Sequence, residues 1–370
     1  LAYDTIRFLE PVKADEIAKP VAAAASGQRL YVVDEKKSVL LIYEASGRLL
    51  KVVGHPGSDR GGLRSPQGVT VGPQGRVFIA DSGNSRIQIL DADGEFLWSF
   101  GTKGSERGEL SDPQAVAVGS DGRVYVADTG NDRVQVFTAE GILLYGFGGK
   151  TTVARESDRF SNPSKIAVDP SDNVYVLDSG NERIAKFDSS AKFVKEFRVL
   201  GNDFVVDPYG FIYVLDPGNG KVAEQGPDGI MLGKFGSVGS GPGQFRKPGG
   251  LALSPEGSIY VLDTGNNRIQ RIEIVNKLKT TLLPANLDTK LSVTGPSRSW
   301  PLAASMLAPL GLDALYAYLP KEGQFISLDE AGKETARFGA KQGKTPGVTH
   351  GTEGFAVSKK LGLYVSDTPA

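Results

Sequence analysis

The sequence predicts an all-β protein, and within that class a β-propeller of four-stranded antiparallel blades. Three observations carry this. Glycine is the compositional outlier, at 47 of 370 residues beside 21 prolines, so the chain is rich in turns and poor in long helical patterns. One line of sequence recurs: residues 66–101 read PQGVTVGPQGRVFIADSGNSRIQILDADGEFLWSFG, and residues 113–148 read PQAVAVGSDGRVYVADTGNDRVQVFTAEGILLYGFG. An Asp that closes an apolar run returns at Asp34, Asp81, Asp128, Asp178, Asp216, Asp263 and Asp367, with Leu319 in one place. The steps between them are 47, 47, 50, 38, 47, 56 and 48 residues. A period of about 40–50 residues holding several short strands is the mark of propeller blades.

Each unit divides into four strands. In the clearest copy strand a is Gly68–Val71. Strand b, Val77–Ala80, is apolar without polar alternation, as expected where both sheet faces are buried between neighbouring blades. The turn Asp81-Ser82-Gly83-Asn84 follows, with Gly and Asn expected to supply positive φ. Strand c is Arg86–Leu90, and a second polar turn leads to strand d, Phe96–Phe100. Tight turns leave up-and-down connectivity as the simple topology. Weaker copies begin at Pro163 and Pro248 and a shortened one near Phe204. A degenerate copy spans 20–54, another near 306–339 lacks the turn motif, and a half-copy occupies 354–370.

The pattern Val-Tyr-Val-Ala-Asp-x-Gly-Asn-x-Arg-[Ile/Val]-Gln is complete at Val124–Gln135 and close to it at Ile259–Gln270. On these residues the chain resembles the NHL-repeat β-propellers. Residues 5–12 (TIRFLEPV) read as an isolated outer strand, and 354–370 offer only strands a and b. Pairing them into one composite blade gives seven whole blades plus one, hence eight. Six, the usual number that the resemblance implies, and seven are the alternatives. The whole of 1–370 is then a single propeller, with 1–12 as the closing strand, 13–274 as six clearer repeats and 275–370 as divergent repeats. The missing strand c after the half-copy suggests a chain that continues past Ala370.

The composition limits the chemistry. A net charge of −1 argues against an electrostatic hold on nucleic acid or lipid, and no run of about 18 apolar residues is present to span a membrane. With no Cys, thiolate catalysis and Cys-rich zinc sites are impossible. Gly149-Lys150-Thr151 and Gly343-Lys344-Thr345 imitate the end of a phosphate loop. Leu144 occupies the first required Gly of one, the other is a residue short, and Pro346 blocks the helix that phosphate would need. No nucleotide or other cofactor is expected.

His55 and His350 are the only imidazoles, and both fall in loops between strand d and the next strand a. They are the metal candidates, and weak ones. The resemblance brings in relatives that hold zinc with several His and lactonase-like propellers with axial calcium. Two His cannot build a three-His site, and strand a shows little inward polarity. The turn Asp is expected to satisfy backbone N–H groups of its own hairpin, since a feature present in nearly every blade serves the blade. The recurring Arg86, Arg133, Arg183 and Arg268 are expected to form salt bridges between blades, and Leu63, Leu110, Phe160 and Phe245 to plug the seams.

Alternation of the connections puts the d-to-a loops and b–c turns on one face. These loops carry 11 basic residues against seven acidic, whereas the turns of the other face carry 15 acidic against eight basic. Arg60, Arg64, Lys103, Arg107, Arg155, Arg159, Arg246, Lys247, Lys341 and Lys344 therefore mark the expected partner-binding face. The expected function is a non-catalytic binding or scaffold propeller contacting protein, peptide or polysaccharide. It would work within a larger assembly or longer chain, exported to the bacterial periplasm, envelope or extracellular space. A metal-dependent lyase or hydrolase on the same ring is the alternative. RNA binding ranks third, for want of a clustered basic footprint with stacking aromatics.

Overall fold

The structure is a computed structural model. It describes residues 17–149 and 159–275, together with the backbone of Thr5–Phe8, Val12–Lys13 and six strands between 307 and 367. The chain divides into two compact units, Leu1–Val275 and Asn276–Ala370. In neither is any described helix long and apolar enough to cross a membrane.

The first unit is a ring of six blades. Blade 1 runs Pro20–Ser26, Arg29–Asp34, Val39–Glu44 and Leu49–Val53 as strands a to d, all antiparallel. Blade 2 is Gly68–Val71, Val77–Asp81, Arg86–Leu90 and Phe96–Phe100. Blade 3 is Pro113–Val118, Val124–Asp128, Arg133–Phe137 and Leu143–Gly148, and blade 4 is Pro163–Val168, Val174–Asp178, Arg183–Phe187 and Phe193–Arg198. Blade 5 follows with Asp203–Val206, Ile212–Asp216, Lys221–Gln225 and Met231–Phe235. Blade 6 supplies Gly250–Leu253, Ile259–Asp263 and Arg268–Val275 from its own segment.

The sixth blade takes its outer strand from the start of the chain. Thr5–Phe8 pairs antiparallel with Arg268–Val275 in the register Thr5↔Val275 to Phe8↔Ile272, and Val12–Lys13 continues along the same strand. This corrects the preference for eight blades and the pairing of residues 5–12 with the C-terminal half-copy. The inner strands of the six blades touch in a closed circle, the last against the first. Pairing the early strand covers the outer edge of blade 6, which would otherwise stand open in an array that has already closed.

Six apolar clusters fill six seams. Val33 and Leu40 meet Val77 and Ile79 between blades 1 and 2, and Leu262 and Tyr260 meet Val32 and Leu41 where blade 6 returns to blade 1. Successive residues of each strand b point into opposite seams: Val124 and Val126 face blade 2, and Tyr125 faces blade 4. This two-sided burial is why strand b lacks polar alternation. Leu63, Leu110, Phe160 and Phe245 are buried in four of these clusters, as the seam-plugging expectation required.

The second unit contains a four-stranded antiparallel sheet of Leu307–Pro309, Leu315–Leu319, Gln324–Leu328 and Glu334–Phe338, and a hairpin of Thr352–Ser358 with Gly362–Asp367.

Candidate interaction face and axial channel

The recurring Asp is the hub of each regular repeat. The Asp128 carboxylate is wholly buried. One oxygen accepts the Ser111 N–H at 2.7 Å; the other accepts Asn131 Nδ2 at 2.9 Å, Arg133 Nε at 2.7 Å and Gln135 Nε2 at 3.2 Å. Asp81 and Asp263 repeat the full set, and Asp178 repeats it without the Gln, which is Ala185. The backbone donor comes from the loop that enters strand a, not from the Asp's own hairpin. The Arg is corrected as well. It pairs with the Asp of its own repeat, and its remaining N–H groups clamp carbonyls of that loop: Arg268 holds Ser240, Gly241 and Gln244. These recurring side chains are thus engaged in fixing the loops of one face.

The loop face is tied to the b–c turns by the same hydrogen bond in four blades. Gly83, Gly130, Gly180 and Gly265 donate their N–H to the carbonyls of Arg64, Ser111, Ser161 and Arg246. From this backbone, Arg64, Lys103, Arg107, Arg159, Arg246 and Lys247 project into solvent and form no ion pair among the described residues. Arg60, also exposed, stacks over Phe96 at 5.1 Å from the ring centre. Arg155, Lys341 and Lys344 lie outside the described residues. The opposite face differs: Arg29 pairs with Asp93 at 2.8 Å, Arg123 with Asp121 at 3.1 Å, Lys51 with Glu95 and Arg48 with Glu44.

His55 is exposed, and its Nε2 lies 3.1 Å from both oxygens of Asp59. That contact holds the Asp59 carboxyl below the usual carboxylate range. His350 lies outside the described residues, and among the described residues no group of three or more His, Asp or Glu could hold a metal ion.

A channel of about 310 Å³ follows the ring axis, lined by strand a of all six blades. Its walls are Ala, Val, Gly, Ile, Leu and Phe, broken by Thr70 and one charged pair, Lys165 and Asp203. Both occupy the repeat position that is Gly68, Ala115 and Gly250 in other blades, just inside the loop-face mouth. The Asp203 carboxylate accepts the N–H groups of Phe204 at 2.8 Å and Leu251 at 2.9 Å. Burial pushes its pKa up, against the opposing pull of Lys165 and those two N–H groups. The Lys165 ammonium lies 3.8 Å from Asp203 and crosses the channel to donate to the carbonyl of Val21, in the opposite blade, at 3.3 Å. Sequence reading missed this pair because strand a is apolar in most copies. The signal was present as two charged residues at one repeat position.

The NHL repeat model matches residues 63–90, 110–137, 160–187 and 245–272, which lie in blades 2, 3, 4 and 6. No curated protein matches the chain. Among solved structures, the chain is similar to a gluconolactonase from Xanthomonas campestris, with 16% identity and a TM-score of 0.55 over 73% of this chain and 90% of that one. Streptogramin B lyase is 14% identical with a TM-score of 0.52, over 74% of this chain and 99% of that one. An auxiliary nutrient binding protein from Bacteroides thetaiotaomicron is 16% identical with a TM-score of 0.52, over 70% of this chain and 69% of that one. At such identities these likenesses speak for the fold alone. Four NHL repeats set as blades of a closed six-bladed ring make this chain an NHL-repeat β-propeller.

Proposed function

We propose that the chain is a non-catalytic binding propeller that works through its loop face and takes a partner bearing acidic groups, as a protein, a peptide or an acidic polysaccharide. One observation carries the reading. Arg64, Lys103, Arg107, Arg159, Arg246 and Lys247 of the loop face form no ion pair among the described residues, whereas Arg29, Arg48, Lys51 and Arg123 of the opposite face pair with Asp or Glu. Lys19, paired with Glu35 on the loop face, and Lys192, exposed and without an ion pair among the described residues on the other, depart from this contrast. An exposed cation gains little from a surface pair, and the six unmatched cations of the loop face are available to a partner. The loops presenting them are pinned by the Asp–Arg hubs, which lowers the ordering cost of binding. The exported, envelope-associated setting belongs to the same proposal; a Cys-free ring folds alike in oxidising and reducing compartments.

The test is retention on immobilised polygalacturonate and on immobilised polyglutamate. Arg107→Glu with Arg159→Glu should lower the salt concentration needed for elution. Asp93→Lys with Asp228→Lys on the opposite face should not lower it. The reverse result would mean that the other face is the working one.

A further inference from the structure

Blade 5 breaks the rule that its siblings follow. The connection into its strand a is cut to residues 199–202, where other blades have a long loop, and its repeat step is the shortest in the chain. In the four regular repeats an Arg Nε sits 2.6–2.8 Å from the hub carboxylate. In blade 5 the Arg is replaced by Lys221, which is exposed and makes no ion pair with Asp216, and the Gln is replaced by Ala223. With no loop N–H and no guanidinium, Asp216 is held within its own turn, by the Asn219 N–H at 3.1 Å, Asn219 Nδ2 at 2.8 Å and the Gly218 N–H. Unlike its buried siblings it is partly open to solvent.

What the missing loop uncovers is a cleft of about 420 Å³ on the loop face at the seam of blades 4 and 5. Asp216 and Glu182 both line it and no basic residue does; Ser179, Asn202 and Asn219 add hydroxyl and amide groups. Leu200 lines the cleft and is 74% exposed, an apolar surface for a methylene stem. We propose that this cleft is a socket for the guanidinium of a partner's arginine side chain, which takes the place at Asp216 that the repeat's own Arg fills elsewhere. The fork of a guanidinium matches a carboxylate in two parallel hydrogen bonds, which an ammonium cannot do. In the sibling repeats the Arg gives one Nε hydrogen bond to the hub carboxylate, whose second oxygen is taken by the loop N–H; in blade 5 no loop N–H takes that oxygen, so an incoming guanidinium can meet both. The inference rests on the loop-face reading only for where the arginine comes from.

The experiment titrates the full chain with acetyl-Gly-Arg-Gly-amide and its Lys and citrulline counterparts at low salt, following backbone amide shifts by NMR. The Arg peptide should give saturable shifts at Asn202, Asp216 and Asn219. The Lys peptide should bind at least about tenfold more weakly and the neutral citrulline peptide not at all. Asp216→Asn should abolish the response. Lys221→Arg, which restores the repeat's own guanidinium and keeps Asp216, should also abolish it and raise the melting temperature. Equal binding of the citrulline or Lys peptide, unchanged binding by Lys221→Arg, or no saturable shift with the Arg peptide would each overturn the proposal. The Arg107→Glu with Arg159→Glu variant should bind the Arg peptide as the parent does. Failure of the socket and failure of the loop-face reading can therefore be told apart.

Discussion

Asp128 gathers four donors from three separate places: the entering loop, the b–c turn and strand c. Removing it strands a buried guanidinium contact and leaves several donors unmet. Asp128→Ala should cost about 3–5 kcal/mol, the scale for breaking one side of a buried ion pair, read from the denaturant midpoint. A loss below about 1 kcal/mol would mean that the hub is dispensable. The turn itself shows a second residue-level lesson. Positive φ falls not on Gly83 or Asn84 but on Ser85, and likewise on Asp132, Glu182 and Asn267. Gly83 is needed for space: a Cβ there would lie 2.8 Å from the carbonyl oxygen of Arg64, the atom to which its N–H is bonded. Gly130→Ala should therefore destabilise by steric conflict with Ser111, even though its backbone angles suit alanine. The check is a lowered denaturant midpoint; an unchanged midpoint would show that the loop can yield.

At the scale of the element, the closing strand is the feature that decides the blade count. Cross-strand partners in an antiparallel pair stand about 4.5–5.5 Å apart at Cα, within disulfide reach. Arg7 faces Glu273 in this pairing, and the chain has no cysteine of its own. Arg7→Cys with Glu273→Cys should form a disulfide on mild oxidation and raise the melting temperature, whereas Arg7→Cys with Val365→Cys should not. Cross-linking to position 365 alone would restore closure onto the C-terminal hairpin. The blades were legible in the sequence because each carries its own apolar strand b and its Asp, both local signals. The partner of residues 5–12 was not, because a strand edge accepts any antiparallel partner and register alone does not name a blade that is remote in sequence. Counting Leu319 and Asp367 as further steps of the same ring extended a local period past the point where the ring had already closed. Blade 5 was readable as a shortened copy. Its meaning emerged only when Asp216 could be compared with Asp128 in partners rather than in spacing.

At the scale of the whole molecule, six inner strands define one axis, and Asp203 is a carboxylate that burial disfavours as an anion beside it. Gly250 makes its position feasible, since a Cβ there would come within 2.9 Å of the Asp203 carboxylate. The consequence is a pH dependence with a defined sign. A carboxyl whose folded pKa is raised binds more protons in the folded than in the unfolded state at pH values between its two pKa values. Its protonation therefore supports the fold fully below the unfolded value near 3.8, and that support is lost as pH rises through the raised folded value. Asp203→Asn keeps the size and cannot ionise. The stability of this variant relative to the parent should climb as pH rises across that window, by up to about 1.4 kcal/mol per pH unit, and then level off. Groups that titrate identically in both proteins cancel in the difference. Lys165→Met should push the window to higher pH, because it removes the one cation 3.8 Å away that favours the ionised carboxylate. A relative stability flat between pH 4 and pH 8 would show instead that the carboxylate stays ionised throughout, with the Lys165 charge and the N–H groups of Phe204 and Leu251 outweighing burial.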